Sequence, residues 1–444
     1  MDLGFETIGN ATAIVHDKGP LLTTDPWLVG SAYFGSWTHQ HVIPEQQMDA
    51  AKRSKYVWIS HGHPDHLSLD SLELLRDAEI LVPDHYGGRI YNDLKHAGYR
   101  VWTLKDGHWI TLSDRVRIMS LADVHQDAAL LIDVDGTLIV NTNDAGDRGA
   151  GAFVRPMIPR FKDSYLLALM AYGDADMINY FDEDGNRIPP QAAKREPLGP
   201  GIAQALELYG IGHYIPFATL HRYQRTDSAW VNDCITEPGE FDKGFESATA
   251  ECLPAYSRVD LAKGDTSAIN PPKVSGELHA PEEFGDNWSD ELEKDDVEKL
   301  RAYLAPITHL KTFLGYVNFK VGGKDNRIDV APEHPKHKGR GITFETPRAS
   351  LMEAVKWKVF DDLLIGNFTK TTLHGDWHDK GAGGLYPDFN PFVAKYSDNG
   401  GANTPDELKA YFAEYHRRGF LAFGPKEDEQ RARKSLAPYL PPGV

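Results

Sequence analysis

Four potential metal ligands stand close together in the run His61-Gly62-His63-Pro64-Asp65-His66. The run directly follows Lys55–Ser60, a short apolar and β-rich segment that predicts a strand. His61 and His63 occupy alternate positions just beyond this strand, and alternate side chains of an extended chain point to the same side, so both can reach one cation. Asp65 and His66 come where the chain turns at Pro64 and can reach a second cation. The run therefore predicts a site for two neighbouring metal ions.

A site for two cations also needs a group that neutralises both of them, and Asp144 fits this role by its position. It closes the run Asn141-Thr142-Asn143-Asp144 after the predicted strand Leu138–Asn141, where a loop would open. We predict that Asp144 bridges the two ions. Asp65 and Asp144 are the predicted catalytic carboxylates, because a ligand carboxylate can also orient a reacting water or oxidant. Imidazole nitrogens and carboxylate oxygens suit zinc, iron or manganese.

Two further histidines complete the predicted set of metal ligands. His125 lies between two predicted strands, 116–121 and 128–134, and would give the first ion a third nitrogen ligand. His221 ends a short apolar segment and is the predicted last ligand. His213 and Asp127 are the alternatives for that last position.

Composition narrows the class of protein and of partner. The net charge of −18 disfavours nucleic acid, whose binding depends on Lys and Arg displacing counterions. No apolar run reaches the roughly 18 residues that a membrane span needs, and the first residues lack the basic start and apolar core of a signal peptide, so we predict a cytoplasmic protein. Only Cys234 and Cys252 occur, and their spacing excludes a thiolate metal site or an iron–sulfur cluster. Electrons for any redox reaction must then come from elsewhere.

The order of predicted elements suggests a catalytic domain and a C-terminal addition. Strands with helices between them dominate residues 1–257, as a layered sandwich requires. Residues 258–295 are rich in Pro, Gly, Asp and Glu and are predicted to form a linker or a surface excursion. Residues 296–444 carry mixed helices and strands. Two roles are open for this region: capping of the active site and dimerisation, which would make the protein a homodimer.

The ordered set of ligand types, HxHxDH followed by His, Asp and His, resembles that of the metallo-β-lactamase superfamily. This resemblance implies an αββα sandwich with the metal ions at one edge, between the two sheets. The expected fold class is therefore α/β, as this αββα sandwich, with an appended mixed α+β C-terminal region.

A narrower resemblance rests on short islands of sequence that extend over most of the chain. They resemble the catalytic part of the CMP-N-acetylneuraminate hydroxylases, and they are Asp25-Pro26-Trp27-Leu28-Val29-Gly30, Trp58-Ile59-Ser60-His61, Val124-His125, Leu138-Ile139-Val140-Asn141-Thr142-Asn143-Asp144, Pro216-Phe217-Ala218 and Phe360-Asp361-Asp362-Leu363-Leu364-Ile365-Gly366. The resemblance implies an O2-dependent, iron-using hydroxylase.

This sequence departs from that family at two points. Members carry a Rieske module, which two scattered cysteines cannot supply, so the resemblance implies a separate reductase or ferredoxin as electron donor. The family also places a histidine at the position of Arg225. That difference leaves the last ligand and the substrate open, and sialic acid is not carried over as the substrate.

Other polar residues are candidates for contacting a substrate. Four of them follow an apolar run and would line the mouth of the site, although a plain surface loop explains them equally well: Tyr172, Asp174, Asp176 and Asn179. Arg222 and Arg225 could pair with an anionic group, whereas solvated arginines at a strand end are the more frequent case. His374 and His378 have i, i+4 spacing, but a second metal site is not predicted there.

Three hypotheses for the function follow from these residues. The first is a diiron oxygenase that hydroxylates a small polar metabolite with electrons from a separate protein, and it makes iron the favoured metal. The second is a metal-dependent hydrolase of an ester, lactone, amide or phosphodiester, which needs nothing beyond the two metal ions. The third is an inactive metal-binding scaffold, which the complete set of ligand types disfavours.

Overall fold

The computed structural model describes residues 1–147, 151–171, 178–381, 383–385, 388–393 and 401–418. The strands of this described part are β1 Leu3–Ile8, β2 Thr12–Asp17, β3 Pro20–Thr24, β4 Trp37–His39, β5 Tyr56–Trp58, β6 Glu79–Pro83, β7 Val101–Leu104, β8 Ile110–Thr111, β9 Val116–Ala122, β10 Ala128–Val134, β11 Thr137–Asn143, β12 Asp163–Ala168, β13 Tyr180–Phe181, β14 His213–Pro216, β15 His221–Tyr223, β16 Glu251–Cys252, β17 Ser257–Asp260, β18 Asp265–Ala268, β19 Tyr316–Val321, β20 Lys324–Asp329, β21 Gly341–Glu345 and β22 Lys370–His374. Its α-helices are α1 Glu45–Lys52, α2 Leu69–Glu73, α3 Arg89–His96, α4 Gly151–Val154, α5 Gly199–Tyr209, α6 Lys294–Leu304, α7 Arg348–Trp357, α8 Phe360–Ile365, α9 Asn390–Val393 and α10 Pro405–Arg418.

Two large mixed sheets form the centre of the molecule. The first has the strand order β18-β17-β1-β2-β3-β5-β6-β7, and the second has the order β16-β14-β12-β11-β10-β9-β8. Apolar side chains from both sheets meet in one buried cluster, which includes Phe5, Trp58, Leu130 and Ile215. The two sheets therefore pack face to face and share a core.

Helices cover the outer face of each sheet. Buried residues of α1, α2 and α3 pack with Val57 and Ile80 on the first sheet, and residues of α5 pack with Leu138 and Leu166 on the second. The layers run helix, sheet, sheet, helix. The αββα sandwich predicted from the metallo-β-lactamase resemblance is thus confirmed.

Local sequence explains why the metal-binding run lies at one edge of this sandwich. The strand β5 is apolar and buried, and it runs parallel to β3 and β6. Ser68 ends the loop that follows, and its hydroxyl accepts a hydrogen bond from the N–H of Ser71 at the start of α2, as an N-cap residue should. The turn at Asp135 and Gly136, both with positive φ, sends β11 back along β10. The carboxyl ends of β5 and β11 then open at the same edge.

The C-terminal region forms most of a third sheet with its own core, and Tyr180–Phe181 from the preceding part of the chain adds the edge strand β13. The strand order is β13-β22-β21-β19-β20, and side chains of α6, α7, α8 and α10 pack against it. This core also includes Ala122 and Val124, which lie at the end of β9 next to His125. The predicted mixed α+β addition is therefore present, and it packs against the sandwich close to the predicted site.

The segment 258–295 contributes to the sandwich as well as connecting to the C-terminal region. β17 pairs with β1, and β18 pairs with β17, so the chain returns to the first sheet before it leaves the sandwich. The division of the chain into domains at residue 258 remains a prediction, and these strands extend the sandwich beyond it. None of the helices in the described ranges combines the length and apolar character needed to cross a bilayer.

Candidate metal centre

Asp25 fixes the backbone where the metal-binding run begins. The N–H of Ser60 donates to Asp25 Oδ1 over 2.7 Å, and the N–H of Asp25 donates to the carbonyl of Trp58 over 2.8 Å. Asp25 is fully buried, and its φ of 41° lies in the left-handed region. A non-glycine residue held in this conformation costs free energy, and such residues concentrate at functional sites. The bonds hold the ends of β3 and β5 together at the edge where His61 follows.

One group of ligand atoms is formed by His61, His63 and Asp144. His61 Nε2 and His63 Nδ1 are 2.9 Å apart, and His61 Nε2 is 3.7 Å from Asp144 Oδ2. Metal–ligand bonds of about 2.1 Å that meet at about 90–110° separate neighbouring ligand atoms by about 3.0–3.4 Å. The three side chains therefore converge closely enough to share one ion.

A second set of side chains meets at His66, whose Nε2 lies near carboxylate oxygens of both Asp65 and Asp144. His66 Nε2 lies 3.4 Å from Asp65 Oδ2 and 3.5 Å from Asp144 Oδ2. His66 is fully buried, and among the described residues its Nε2 has no hydrogen-bond partner. Asp144 Oδ2 is thus within reach of both groups. This is the position that a bridging carboxylate would occupy.

The charges of this second group suit a cation. Burial lowers the pKa of His66, but Asp65, Asp144 and Asp25 outweigh it and raise that pKa well above its usual range. Burial raises the pKa of Asp65, but His66, together with the hydrogen bond from Tyr33, holds it well below its usual range. Buried carboxylates kept in the anionic form need a compensating positive charge. In the metal-free site the proton on His66 supplies part of this charge. A metal ion bound to neutral His66 would take the place of that proton, so the residues present fit the predicted metal pair.

Two residues that the sequence analysis did not single out orient Asp65. Asn10 Nδ2 donates to Asp65 Oδ2 over 2.8 Å, and the hydroxyl of Tyr33 donates to Asp65 Oδ1 over 2.6 Å. Asn10 also accepts a hydrogen bond from the N–H of Leu220 through its Oδ1, over 2.7 Å. This amide therefore connects Asp65 to the strand that begins at His221.

His221 is buried between aromatic rings. Its imidazole stacks on Trp37 with ring centroids 3.4 Å apart, and β15 places it opposite His39. Burial lowers the pKa of His221 to about 3, against the opposing effect of the Asp65 carboxylate. Burial likewise lowers the pKa of His39 to about 4. Both imidazoles are neutral at pH 7, as metal ligands must be, and His221 remains the proposed last ligand.

The loop that carries His125 also brings Asp127 to the site. Asp123 Oδ1 accepts hydrogen bonds from the N–H groups of His125 and Asp127, and Gln126 between them has a φ of 64°. Asp127 Oδ1 then lies 3.7 Å from His61 Nδ1. His125 is half-buried in the same turn. Among the described residues, two groups of side chains lie close enough to share one ion, His61-His63-Asp144 and His63-Asp361-Asp362, and His125 belongs to neither. Its ligation remains a prediction, with Asp127 close beside it.

The C-terminal region supplies side chains to the site. Asp361 Oδ2 is 3.1 Å from His63 Nε2. The hydroxyl of Tyr411 donates to the carbonyl of Val124 over 2.5 Å and accepts from Gln126 Nε2 over 3.1 Å. These contacts favour the capping role over dimerisation for the C-terminal region.

Replacing Asp361 by Asn should weaken metal binding while leaving the fold intact. A carboxylate that accepts from the outer nitrogen of a ligand imidazole fixes its tautomer and orientation, and its loss typically costs about 10–100-fold in metal affinity. Competition with a chromogenic chelator measures this change. Asp376→Asn, which changes an exposed carboxylate of the same region, is the matched control. Equal affinities in the two variants would show that Asp361 does not position His63.

Arg225 is engaged by protein groups. Its guanidinium is fully buried, pairs with Asp227 and Asp286 at 2.8 Å each, and lies 4.0 Å above the ring of Phe368. A charge that is buried and already paired has no free face for a ligand. The structure therefore corrects the prediction of a substrate-binding role for Arg225. Arg222 is half-buried and donates to the carbonyl of Ser275 over 3.2 Å.

The remaining predicted contacts fall elsewhere. Tyr172, Asp174 and Asp176 lie outside the described residues. Asn179 is buried and accepts a hydrogen bond from Arg187 Nε over 3.0 Å. His213, the alternative ligand, begins β14 and pairs with Asp163 at the amino-terminal end of the parallel strands. The ligand atoms converge at the opposite end, so His213 is removed from the candidate centre.

Comparison with known proteins gives related sequences. No model of a known protein family matches the chain. The chain is 33% identical over 302 residues to a cytidine monophosphate-N-acetylneuraminic acid hydroxylase from Danio rerio, a match that covers 60% of this chain and 48% of that protein. The hydroxylase of the same name from Asterias rubens is 32% identical over 140 residues, which are 30% of this chain and 21% of that protein. The chain thus spans less than half the length of these relatives.

Solved structures give more distant similarities. One is Igni18, a metallo hydrolase from the archaeon Ignicoccus hospitalis, with 17% identity, a TM-score of 0.33 and coverage of 60% of this chain and 98% of that one. Another is CmlA, a diiron β-hydroxylase from Streptomyces venezuelae, with 14% identity, a TM-score of 0.38 and coverage of 59% and 54%. The two sequence relatives confirm the resemblance that was inferred from the sequence islands. This chain is similar to part of the CMP-N-acetylneuraminic acid hydroxylases.

Proposed function

We propose that this protein is a dinuclear metalloenzyme, and specifically a diiron O2-dependent oxygenase that hydroxylates a small polar metabolite. One observation carries the dinuclear part: Asp144 Oδ2 lies 3.7 Å from His61 Nε2 and 3.5 Å from His66 Nε2, between the two groups of ligand atoms. The similarity to hydroxylases over 302 residues supports the oxygenase part. The relatives are named for cytidine monophosphate-N-acetylneuraminic acid, and we do not extend that substrate to this chain.

Each ligand has a place in this proposal. His61 and His63 would hold one ion, together with His125 or its neighbour Asp127. The other ion would be held by Asp65, His66 and His221. Asp144 would bridge the two ions. Iron bound by these residues would supply O2 activation, with electrons from a separate reductase or ferredoxin. Among the residues of this chain, Tyr33 and Asn10 keep Asp65 in one orientation, Asp361 orients His63, and Trp37 covers His221 from water.

A metal-dependent hydrolase is the second candidate, and the fixed orientation of Asp65 supports it. Tyr33 donates to Asp65 Oδ1 over 2.6 Å and Asn10 donates to Oδ2 over 2.8 Å, so both oxygens are held in place. A buried carboxylate that stays anionic can orient an attacking water beside two Lewis-acidic metal ions, without any electron donor. Carboxyl esters, lactones, amides and phosphodiesters are the substrate classes for this reaction. An inactive scaffold is the third candidate, and the retained ligand types disfavour it.

Metal analysis distinguishes these candidates. Protein from iron-supplemented cells should contain both ions as iron, with an optical spectrum that changes after anaerobic reduction and again on exposure to air. Both ions as zinc, with no spectral response, together with turnover of chromogenic lactone or phosphodiester substrates under anaerobic conditions, would support the hydrolase. A single ion or none in the purified protein, after reconstitution with either metal, would contradict the dinuclear proposal.

A further inference from the structure

A cleft of about 690 Å³ opens directly beside the metal-binding run. At its inner end lie Gly62 and Pro64, which belong to that run, together with Tyr33 and Asp362. Tyr33 connects the cleft to the candidate centre, because its hydroxyl donates to Asp65 Oδ1. This volume lies within the range of about 300–1,000 Å³ that small-molecule sites occupy. We call this cavity the Trp357 cleft, with its walls formed by Leu67, Leu69, Leu94, Trp357 and Lys358.

Most wall residues of the Trp357 cleft are apolar, and two of them are largely exposed to solvent. Leu69 on α2 is 58% exposed, and Trp357 at the end of α7 is 51% exposed. Leu67 and Leu94 continue this apolar surface toward the interior. Large apolar side chains that stay exposed and share one concave surface are typical of a binding site. An aromatic ring is suited to such walls, because it gains both apolar burial and ring stacking.

Cationic side chains outnumber carboxylates in the lining of the outer part of the Trp357 cleft. Lys356, Lys358 and Arg89 line it, in a chain whose net charge is −18. Lys356 is paired with Glu353 at 2.9 Å. Lys358 caps α7 with a φ of 56°, and among the described residues no carboxylate lies within ion-pair distance of its ammonium. Lys358 is therefore the cation best placed to meet an anionic group.

Carboxylates lie deeper in the cleft or on its helical wall. Asp362 is at the inner end, where its charge acts on Tyr33, and Asp93 lies on α3 together with Arg89. An anionic ligand group would be repelled by Asp362 and attracted by Lys358. The charge distribution therefore orients a ligand with its anionic end outward and its uncharged end toward the metal-binding run.

We propose that the Trp357 cleft binds an amphipathic anion, a small molecule with an aromatic or other flat apolar body and one terminal carboxylate or phosphate group. This proposal rests on the proposed function in one respect, since it makes the cleft the substrate site of the dinuclear centre. It narrows the substrate from a small polar metabolite to one with a large apolar part. The uncharged end of that body would be the part that reaction at the centre modifies.

Binding of two matched probes tests the class of ligand. 2-Naphthoate carries the apolar body and the anionic end, and 2-naphthamide lacks only the charge. Calorimetry on the metal-loaded protein should show weaker binding of the amide. Trp357→Ala should weaken both probes about tenfold, or about 1.4 kcal/mol, because it removes ring stacking and apolar burial. Lys358→Gln should weaken the naphthoate alone by about two- to fivefold, as expected for an exposed charge pair.

Two variants on other surfaces are the controls. Trp102→Ala removes a tryptophan that is 58% exposed on β7, and Lys52→Gln removes an exposed lysine of α1. Both should leave naphthoate affinity unchanged. Equal naphthoate affinity in Trp357→Ala and Trp102→Ala would overturn the proposal. Equal affinity of the wild-type protein for naphthoate and naphthamide would overturn its anionic part.

A paramagnetic ion separates this proposal from the proposed function. With Mn²⁺ in the candidate centre, the proton signals of bound naphthoate should broaden. One contrary outcome is protein that holds no Mn²⁺ but still binds naphthoate at Trp357, without broadening of its signals. This outcome would contradict the metal centre and leave the proposed ligand class standing. Protein that holds both Mn²⁺ ions but binds no naphthoate would contradict the ligand class and leave the metal centre standing.

Discussion

Asp144→Ala is expected to lower the metal content from both ions to one or none per chain. Asp144 Oδ2 lies 3.7 Å from His61 Nε2 and 3.5 Å from His66 Nε2, so its loss removes a ligand from each group and the charge that separates the two cations. Two divalent cations a few ångströms apart repel each other strongly unless an anion lies between them. Loss of the second ion should also lower the rate of turnover. Mass spectrometry of metals after dialysis, on protein loaded with iron or zinc, measures the loss.

A pair of variants at the far end of the same strands provides the control. Asp163 and His213 pair with each other at 3.1 Å, and they begin β12 and β14 at the end away from the site. Asp163→Ala and His213→Ala should keep both ions. His63→Ala should behave like Asp144→Ala, because it removes one of the two imidazoles of the first group. Retention of both ions in both site variants would rule out the dinuclear assignment.

The sequence predicted the part of the site that local spacing encodes. His61, His63, Asp65 and His66 are neighbours in the chain, and the strand and turn around them set their directions. Asp144 follows a strand whose end opens at the same edge of the sandwich. Local periodicity is enough in these cases, because each ligand is placed by the element that directly precedes it.

The contacts that orient these ligands come from distant parts of the chain. Asp361 reaches His63 across 298 residues, and Tyr33 reaches Asp65 from a backbone conformation with a φ of 50°. Asp361 lies within one of the sequence islands that resemble the hydroxylases. The resemblance therefore pointed to this segment, whereas the local spacing of its residues did not. The Asp361 contact depends on the packing of the C-terminal region against the sandwich, which no pattern in a single segment specifies.

The edge strands show that local sequence patterns also miss part of the fold. β18 consists of Asp265-Thr266-Ser267-Ala268 and is exposed along its whole length, so it has no apolar alternation. Periodicity therefore gave no sign of it, and the segment from residue 258 was predicted as a linker or surface excursion because of its charge. Backbone pairing of β18 with β17, and of β17 with β1, adds it to the first sheet without any buried side chain of its own.

Arg225→Ala is expected to destabilise the protein by about 3–5 kcal/mol, the usual cost of leaving a buried partner charge uncompensated. Asp286 is fully buried and accepts from Arg225 at 2.8 Å. Without Arg225, its carboxylate would keep, within the described part of the chain, only the bonds from Ser350. The midpoint of urea unfolding measures the change.

Arg222→Ala, which removes a half-buried arginine with one bond to a backbone carbonyl, should cost less than about 1 kcal/mol. The double variant Arg225→Met with Asp286→Asn should recover part of the loss, since it removes both charges together. A stability of Arg225→Ala equal to that of Arg222→Ala would restore the substrate-contacting interpretation of Arg225, because only a charge that is free in the unbound protein can be deleted without such a cost.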